Sequence, residues 1–472
     1  MPTNAAASFS TKNNFAARPD ATDGLWVLPL LPASLIVSFI RHSIIATPTY
    51  KLTVLIAVGL LCTSLAIIFY RKRNESLKTF SPCAVAVAIF VGCLFHVCLH
   101  KGWLFSLSSG VFSSLIYIKT FKFLLTSFRE SFSLGEAGVI AQGAVIFIYC
   151  AIENTARHAS QNSVPKSNMQ ISTAIIQVGL ISVLLFGYTV YQFNITGAKR
   201  FYFTFAVLVI FTLLLPLQVL LDRSPLVWVL DEMLRDPALL KLIIYWGCCV
   251  GVAVVAVSHQ VNRAKKASTS IRKIFHLLIV AVYLPGLAYK CSFLYLASGV
   301  SLGVFFALEV MRIQEIPPLG RRLQDGYVVF SDEKDAGPLS LTAIYLLVGC
   351  SLPLWIHPAP CDVTDSSLFS ILPLLSGLLS VGVGDACASF VGSNFGKIKW
   401  KGSKKTVEGT AACVISQLGI FYLLCHTGYV PYVTEEQSLR IVTAVAVGSL
   451  VEAKTTQIDN IVLPLIYYLI LI

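Results

Sequence analysis

Apolar runs of about 20 residues recur along nearly the whole chain, and no other feature limits its fold as much. A run of that length matches the hydrocarbon thickness of a bilayer. There every backbone N–H and C=O must be bonded within its own segment, so such runs read as spanning helices. They fall near 25–40, 52–70, 83–100, 103–118, 137–152, 171–191, 201–221, 239–258, 274–288, 293–311, 339–356, 368–384, 410–427, 439–453 and 461–472. The expected fold class is all-α: a polytopic integral membrane protein with roughly 13–15 transmembrane helices. Composition agrees, since 13% of the 472 residues are charged against about 25% in soluble proteins, and mean hydropathy is +0.75.

The formal charge of +12 needs no nucleic-acid partner, because Lys and Arg gather in the cytosolic loops of membrane proteins. The 13 cysteines are scattered and form no CxxC pair, so neither a zinc site nor a disulfide framework is expected. Three regions follow: a polar tail over 1–24, expected to be disordered; N-terminal spans over 25–260; and a C-terminal region, 261–472, whose loops are densely polar.

One stretch escapes the apolar logic. Val381 to Thr410 carries Asp385 among small residues, then Lys397, Lys399, Lys401, Lys404 and Lys405, then Thr406, Glu408 and Gly409. A Gly-rich, Lys-rich, hydroxyl-bearing loop between two spans suits a polyphosphate: glycines admit backbone N–H groups to the oxygens, and lysines neutralise them. Gly396, Lys397, Lys399, Gly402, Ser403, Lys404, Lys405, Thr406, Glu408 and Gly409 are the candidate phosphate-binding residues. The loop is not a Walker A, because Gly392 to Lys397 is one residue short of GxxxxGK and lacks the following Ser or Thr. An acid inside an apolar segment defaults to function, and Asp385 suits a divalent metal or a general base. Ser389 follows one helical turn later.

Charge also orders the remaining loops. Alternating the spans across a bilayer brings Arg272–His276, Glu309–Arg312, Asp332–Pro338, Asp385–Glu408 and Glu452–Asn460 to one face, the Lys- and Arg-rich one. Ordinary connectors would not need to agree, so one composite cytosolic site is expected. Its accessory members are Arg272, Lys273 and His276 on one helical face, Glu309 and Arg312 as a helix pair, Asp332 and Asp335 as acids that suit a cation, and Asp459 and Asn460 at the start of the last span.

The combination Arg272-Lys273-x-x-His276, Leu308-Glu309-x-x-Arg312, Asp332-Glu333-Lys334-Asp335-x-Gly337-Pro338, Gly384-Asp385-Ala386-x-Ala388-Ser389, Lys404-Lys405-Thr406-x-Glu408-Gly409-Thr410 and Thr456-Gln457-Ile458-Asp459-Asn460 resembles dolichol kinases over roughly residues 261–472. The Asp385 and Lys-Thr-x-Glu-Gly elements alone are also similar to phytol kinases and CDP-diacylglycerol synthases. The resemblance implies a multi-pass protein of the endoplasmic reticulum membrane that transfers the γ-phosphoryl of CTP to dolichol or another long polyprenol, with a divalent cation (Mg²⁺, or Ca²⁺). It aligns the family's CTP-binding element with residues 394–409; Asp385, Lys405 and Glu408 are the expected catalytic residues, Asp385 as metal ligand or as the base for the hydroxyl proton. Two rivals stay open: a lipid cytidylyltransferase attacking the α-phosphate of CTP, and a transporter, which would place its acids near mid-membrane.

Overall fold

The computed structural model describes Arg18 and residues 21–73, 81–128, 130–160, 167–263, 266–331, 337–359, 361, 371–430 and 433–472. Among them the chain is helical, with one isolated antiparallel bridge, Lys399 to Thr406. In order the helices are α1 (Leu30–Arg41), α2 (Pro48–Lys72), α3 (Ser81–Leu99), α4 (Trp103–Ser127), α5 (Leu134–Ser160), α6 (Asn168–Gln192), α7 (Ala198–Leu221), α8 (Pro225–Arg235), α9 (Pro237–Asn262) and α10 (Thr269–Tyr289). They continue with α11 (Cys291–Ile313), α12 (Gly320–Phe330), α13 (Thr342–Ile356), α14 (Leu372–Phe395), α15 (Val407–His426), α16 (Glu435–Lys454) and α17 (Asp459–Leu471).

Ten of these are long and apolar enough to cross a bilayer, and four shorter apolar helices accompany them. The long set alone falls below the expected 13–15. The shorter helices α1, α3, α13 and α17 occupy four of the expected spans, and α16, richer in charge, occupies another. The chain is a multi-pass membrane protein. Local chemistry starts the helices where the sequence allows. Ser167 and Thr434 form capping boxes with Gln170 and Gln437. Asp236 accepts the N–H groups of Ala238 and Leu239 at 2.9 and 3.3 Å, ahead of a helix opened by Pro237.

Helix α14 is the axis of the C-terminal half. Seventy-eight per cent of its apolar window is enclosed by other helices, against 11% for α7 and α9, which therefore face lipid. Small residues allow the enclosure: a Cβ on Gly384 would lie 2.5 Å from the Gln417 side chain on α15. The segment Leu378–Asp385 is wound as a π-helix, a local irregularity that recurs at functional sites.

Loop ends group as alternating spans require. At one end the Tyr50 hydroxyl donates to the Ile356 carbonyl at 2.8 Å, and the rings of His42 and His357 stand 4.9 Å apart. At the other, Arg18 donates to the Thr456 carbonyl at 3.0 Å.

Three expectations need correction. Arg18 and residues 21–24, assigned to a disordered tail, pack into the bundle: Arg18 is 4% exposed and paired with Glu136 at 2.7 Å. A disulfide joins Cys291 to Cys361 across 70 residues. It was invisible to spacing rules because topology, not proximity in sequence, brings the two together. Helices α8 and α12 form within stretches read as connectors; α12 holds its polar side outward, so it lacks the apolar run used to find spans.

Candidate active site

The site is built where the end of the π-helical segment meets the start of α10. Asp385 is 3% exposed. Its Oδ2 receives the Lys273 ammonium and lies 3.2 Å from His276 Nε2, and its Oδ1 accepts from the Ser389 hydroxyl at 3.3 Å. Lys273 and His276 reach one carboxylate because three residues make nearly one helical turn, and their own nitrogens are 3.4 Å apart. The other ring nitrogen of His276, Nδ1, is buried without a protein hydrogen-bond partner. Arg272 turns away to its own helix start, donating to Thr269 Oγ1 at 3.5 Å.

Beside this stands a second charged group. Lys405 donates to the Glu452 carboxylate and, at 2.7 Å, to the Glu452 carbonyl; Asp459 Oδ2 lies 3.9 Å away. Burial pulls the Lys405 pKa down, but Glu452, Asp459 and Asp385 outweigh it and raise the value above the ordinary lysine range. Asp385 and Lys405 therefore share one electrostatic site. Glu452, 3% exposed, was not among the expected site residues. Its position at the edge of a polar cluster was the available signal, and a charged residue in a last helical turn reads more simply as snorkelling.

The lysine loop folds as a short hairpin. Trp400 N donates to the Lys405 carbonyl at 3.0 Å and Val407 N to the Ile398 carbonyl at 2.8 Å. Gly402 makes the turn at φ +77, a conformation costly for other residues. Thr406 caps α15 by accepting Gly409 N–H at 3.2 Å, and Ser403 Oγ accepts Lys405 N–H at 3.1 Å. Lys397, Lys399, Lys401 and Lys404 are exposed on this hairpin, and Gly396 joins it to α14.

Several expected members take other work. Both oxygens of Glu408 accept the Ile398 N–H, at 3.1 and 3.2 Å, so this carboxylate closes the hairpin instead of joining Asp385. The Gly409 amide, expected to bind phosphate, is engaged by Thr406. Glu309 and Arg312 form a two-pronged pair at 2.9 and 2.7 Å; Arg312 also donates to the Pro338 carbonyl at 2.7 Å, and Glu309 accepts Ser340 N–H at 2.7 Å. That knot fastens α11 and α12 to the start of α13. Asp332 and Asp335 lie outside the described residues. Asp459 Oδ1 accepts the Asn460 N–H at 3.1 Å, and Asn460 is buried.

A dolichol kinase family model matches residues 111–350. The dolichol kinase of Mus musculus is 35% identical over 372 residues, covering 76% of this chain and 68% of the mouse protein. This chain belongs to the dolichol kinase family. "Dolichol kinase EVAN" of Arabidopsis thaliana is 32% identical over 393 residues, 76% of this chain and 68% of its own length. The Saccharomyces cerevisiae dolichol kinase is 26% identical over 243 residues, 51% and 44% of the two chains. No solved structure matches. The family-model match begins well inside the first half, which the motif resemblance had left out, and ends before the lysine hairpin. The mouse relative extends the match to 76% of the chain, beyond the bounds of the family model.

Proposed function

We propose that this chain is a CTP-dependent dolichol kinase of the endoplasmic reticulum membrane, with its active site facing the cytosol. The observation that carries the reading is the pairing of Asp385 with Lys273 and His276, next to Lys405, beneath a lysine hairpin at one end of the most enclosed helix.

Phosphoryl transfer needs positioning and charge neutralisation more than covalent chemistry. In this reading the exposed Lys397, Lys399, Lys401 and Lys404 gather the triphosphate. Lys273 and Lys405, now held by carboxylates, turn to its oxygens as it arrives. That frees Asp385 to accept the proton of the dolichol hydroxyl. The hydroxyl oxygen bonds to the γ-phosphorus, the bond from that phosphorus to the β–γ bridging oxygen breaks, and CDP leaves. The acceptor is apolar and reaches the site through the bilayer, so its hydroxyl meets the nucleotide at the membrane surface.

A divalent cation fits the donor set. Asp385 and Asp459 offer hard oxygens, and Mg²⁺ is commonly held by one or two carboxylates plus substrate phosphates. Among the described residues no three His, Cys, Asp or Glu side chains stand ready to hold a cation by themselves, so the substrate phosphates would have to complete its shell. A cation held there by Asp385 and Asp459 would supply charge neutralisation at the phosphates.

Orientation has two supports. Lys and Arg favour cytosolic loops. The Cys291–Cys361 disulfide lies one 21-residue helix away from Lys273, at the opposite end of α10, and disulfides persist in the oxidising lumen. The test is incubation of purified protein with CTP labelled at α or γ, or with γ-labelled ATP, and a panel of dolichol, phytol and diacylglycerol. The reading expects γ-label on dolichol. α-Label on lipid would make the protein a cytidylyltransferase, and label on phytol alone would reassign the acceptor.

A further inference from the structure

The two halves of the chain meet at a buried polar knot directly behind Asp459. Arg18 and Glu136 form an ion pair at 2.7 Å, with side chains 2% and 0% exposed. Charges so enclosed are costly unless paired and hydrogen-bonded; Nε and Nη1 of Arg18 are buried without a partner among the described residues, and the bonds the pair does make reach mostly one turn. Glu136 Oε1 accepts the Ile458 N–H at 2.8 Å, and Oε2 accepts the Ser133 N–H at 2.9 Å. Arg18 also donates to the Thr456 carbonyl at 3.0 Å. Thr22 N donates to Thr456 Oγ1 at 3.2 Å, and Gln457 Nε2 donates to the Thr22 carbonyl at 2.9 Å. Gln457, itself fully buried, accepts the Ser133 hydroxyl.

Apart from the Glu136–Ser133 bond and the ion pair itself, these contacts fall on residues 456–458, immediately before Asp459. That turn, whose Ile458 side chain is also buried in the core, links Glu452 on α16 to Asp459 on α17, the two acids that hold Lys405. We propose that Arg18, Thr22 and Glu136 are positioning residues for phosphoryl transfer, fixing the 456–458 turn so that Asp459 faces Lys405. The inference rests on the function proposed above and deepens it: the N-terminal segment completes a site whose reacting groups all lie in the C-terminal half.

The consequence reaches Lys405 through its surroundings. Glu452, Asp459 and Asp385 face it, and Lys273 and His276 flank Asp385. If the turn loosens, Lys405 loses the Asp459 carboxylate.

The test uses the full-length protein in lipid nanodiscs with γ-labelled CTP and dolichol. Thr22→Val keeps the shape and the main-chain bonds but removes the Thr22 hydroxyl, which lies 3.0 Å from the Thr456 hydroxyl and accepts from Gln457 Nε2 at 3.1 Å. The expected result is a kcat at least ~10-fold lower, because small misplacements at a reacting centre are costly. KM for CTP should stay within about twofold if the exposed hairpin lysines bind as before, a split between kcat and KM that a general loss of fold would not give. The paired change Arg18→Met with Glu136→Leu replaces a buried ion pair by apolar groups, which folds tolerate; it should remain monodisperse with the same kinetic defect. Unchanged kcat in Thr22→Val would overturn the proposal, as would activity lost only in step with folded protein. A wild type that leaves dolichol unlabelled would instead count against the function itself, which separates the two failures.

Discussion

Lys405 Nζ lies 2.7 Å from the carbonyl oxygen of Glu452, a residue 47 positions later, and bonds the carboxylate of the same residue. The lysine from the hairpin thus points into the bundle, where it meets Asp459 and the field of Asp385. It is a different kind of lysine from its neighbours in sequence, which stand in water.

Removing the partner should therefore expose the difference. Glu452→Gln leaves Lys405 without its main counter-charge and is expected to destabilise the protein by about 1–3 kcal/mol, read as a lower thermal midpoint in detergent. Lys401→Gln, on the exposed hairpin, should leave that midpoint unchanged and weaken CTP binding only modestly.

The pH dependence has a definite sign. The folded pKa of Lys405 is raised, so the ion pair contributes fully below the ordinary lysine range. That contribution is lost as pH rises through the raised value. Activity should persist to alkaline pH, and Glu452→Gln should move the alkaline limb of kcat/KM downward. A limb that stays in place would detach Lys405 from the chemistry.

Hairpin closure makes a separate prediction. Glu408→Gln weakens the acceptance of the Ile398 N–H, and Thr406→Val removes the cap on Gly409, worth about 1 kcal/mol. Both should raise KM for CTP while the kcat of Glu408→Gln falls less than ~10-fold, as suits a residue that shapes the loop without meeting transition-state charge. A loss as large as that of Asp385→Asn would restore Glu408 to the catalytic set.

Sidedness can be read from thiols. In sealed microsomes, a membrane-impermeant maleimide should label an introduced Lys401→Cys directly. The Cys291–Cys361 pair should react only after reduction and permeabilisation. The reverse pattern would place the site in the lumen.

The spans were legible because a bilayer admits few backbone solutions, and hydropathy reports them directly. Asp385, Lys405, Lys273, His276 and Asp459 were legible for a related reason: a charge in or beside an apolar run is costly enough to need a purpose. Glu452 was not, because a carboxylate in the last turn of α16 has an innocent explanation until Lys405 is seen on it. For Glu408, its place in a phosphate-loop motif gave no sign that the Ile398 N–H would engage its carboxylate. Arg18 and Glu136 stand 118 residues apart, and nothing in either neighbourhood announces the other. Charge pairing across a bundle is set by helix packing, which the apolar pattern does not encode.

The most direct measurement is the rate of γ-phosphoryl transfer from CTP to dolichol by purified Asp385→Asn beside wild type, with folding verified by thermal midpoint. Because Asp385 organises Lys273, His276 and Ser389 around the reacting centre, kcat is expected to fall by at least ~100-fold. A folded Asp385→Asn protein that phosphorylates dolichol at nearly the wild-type rate would contradict the account.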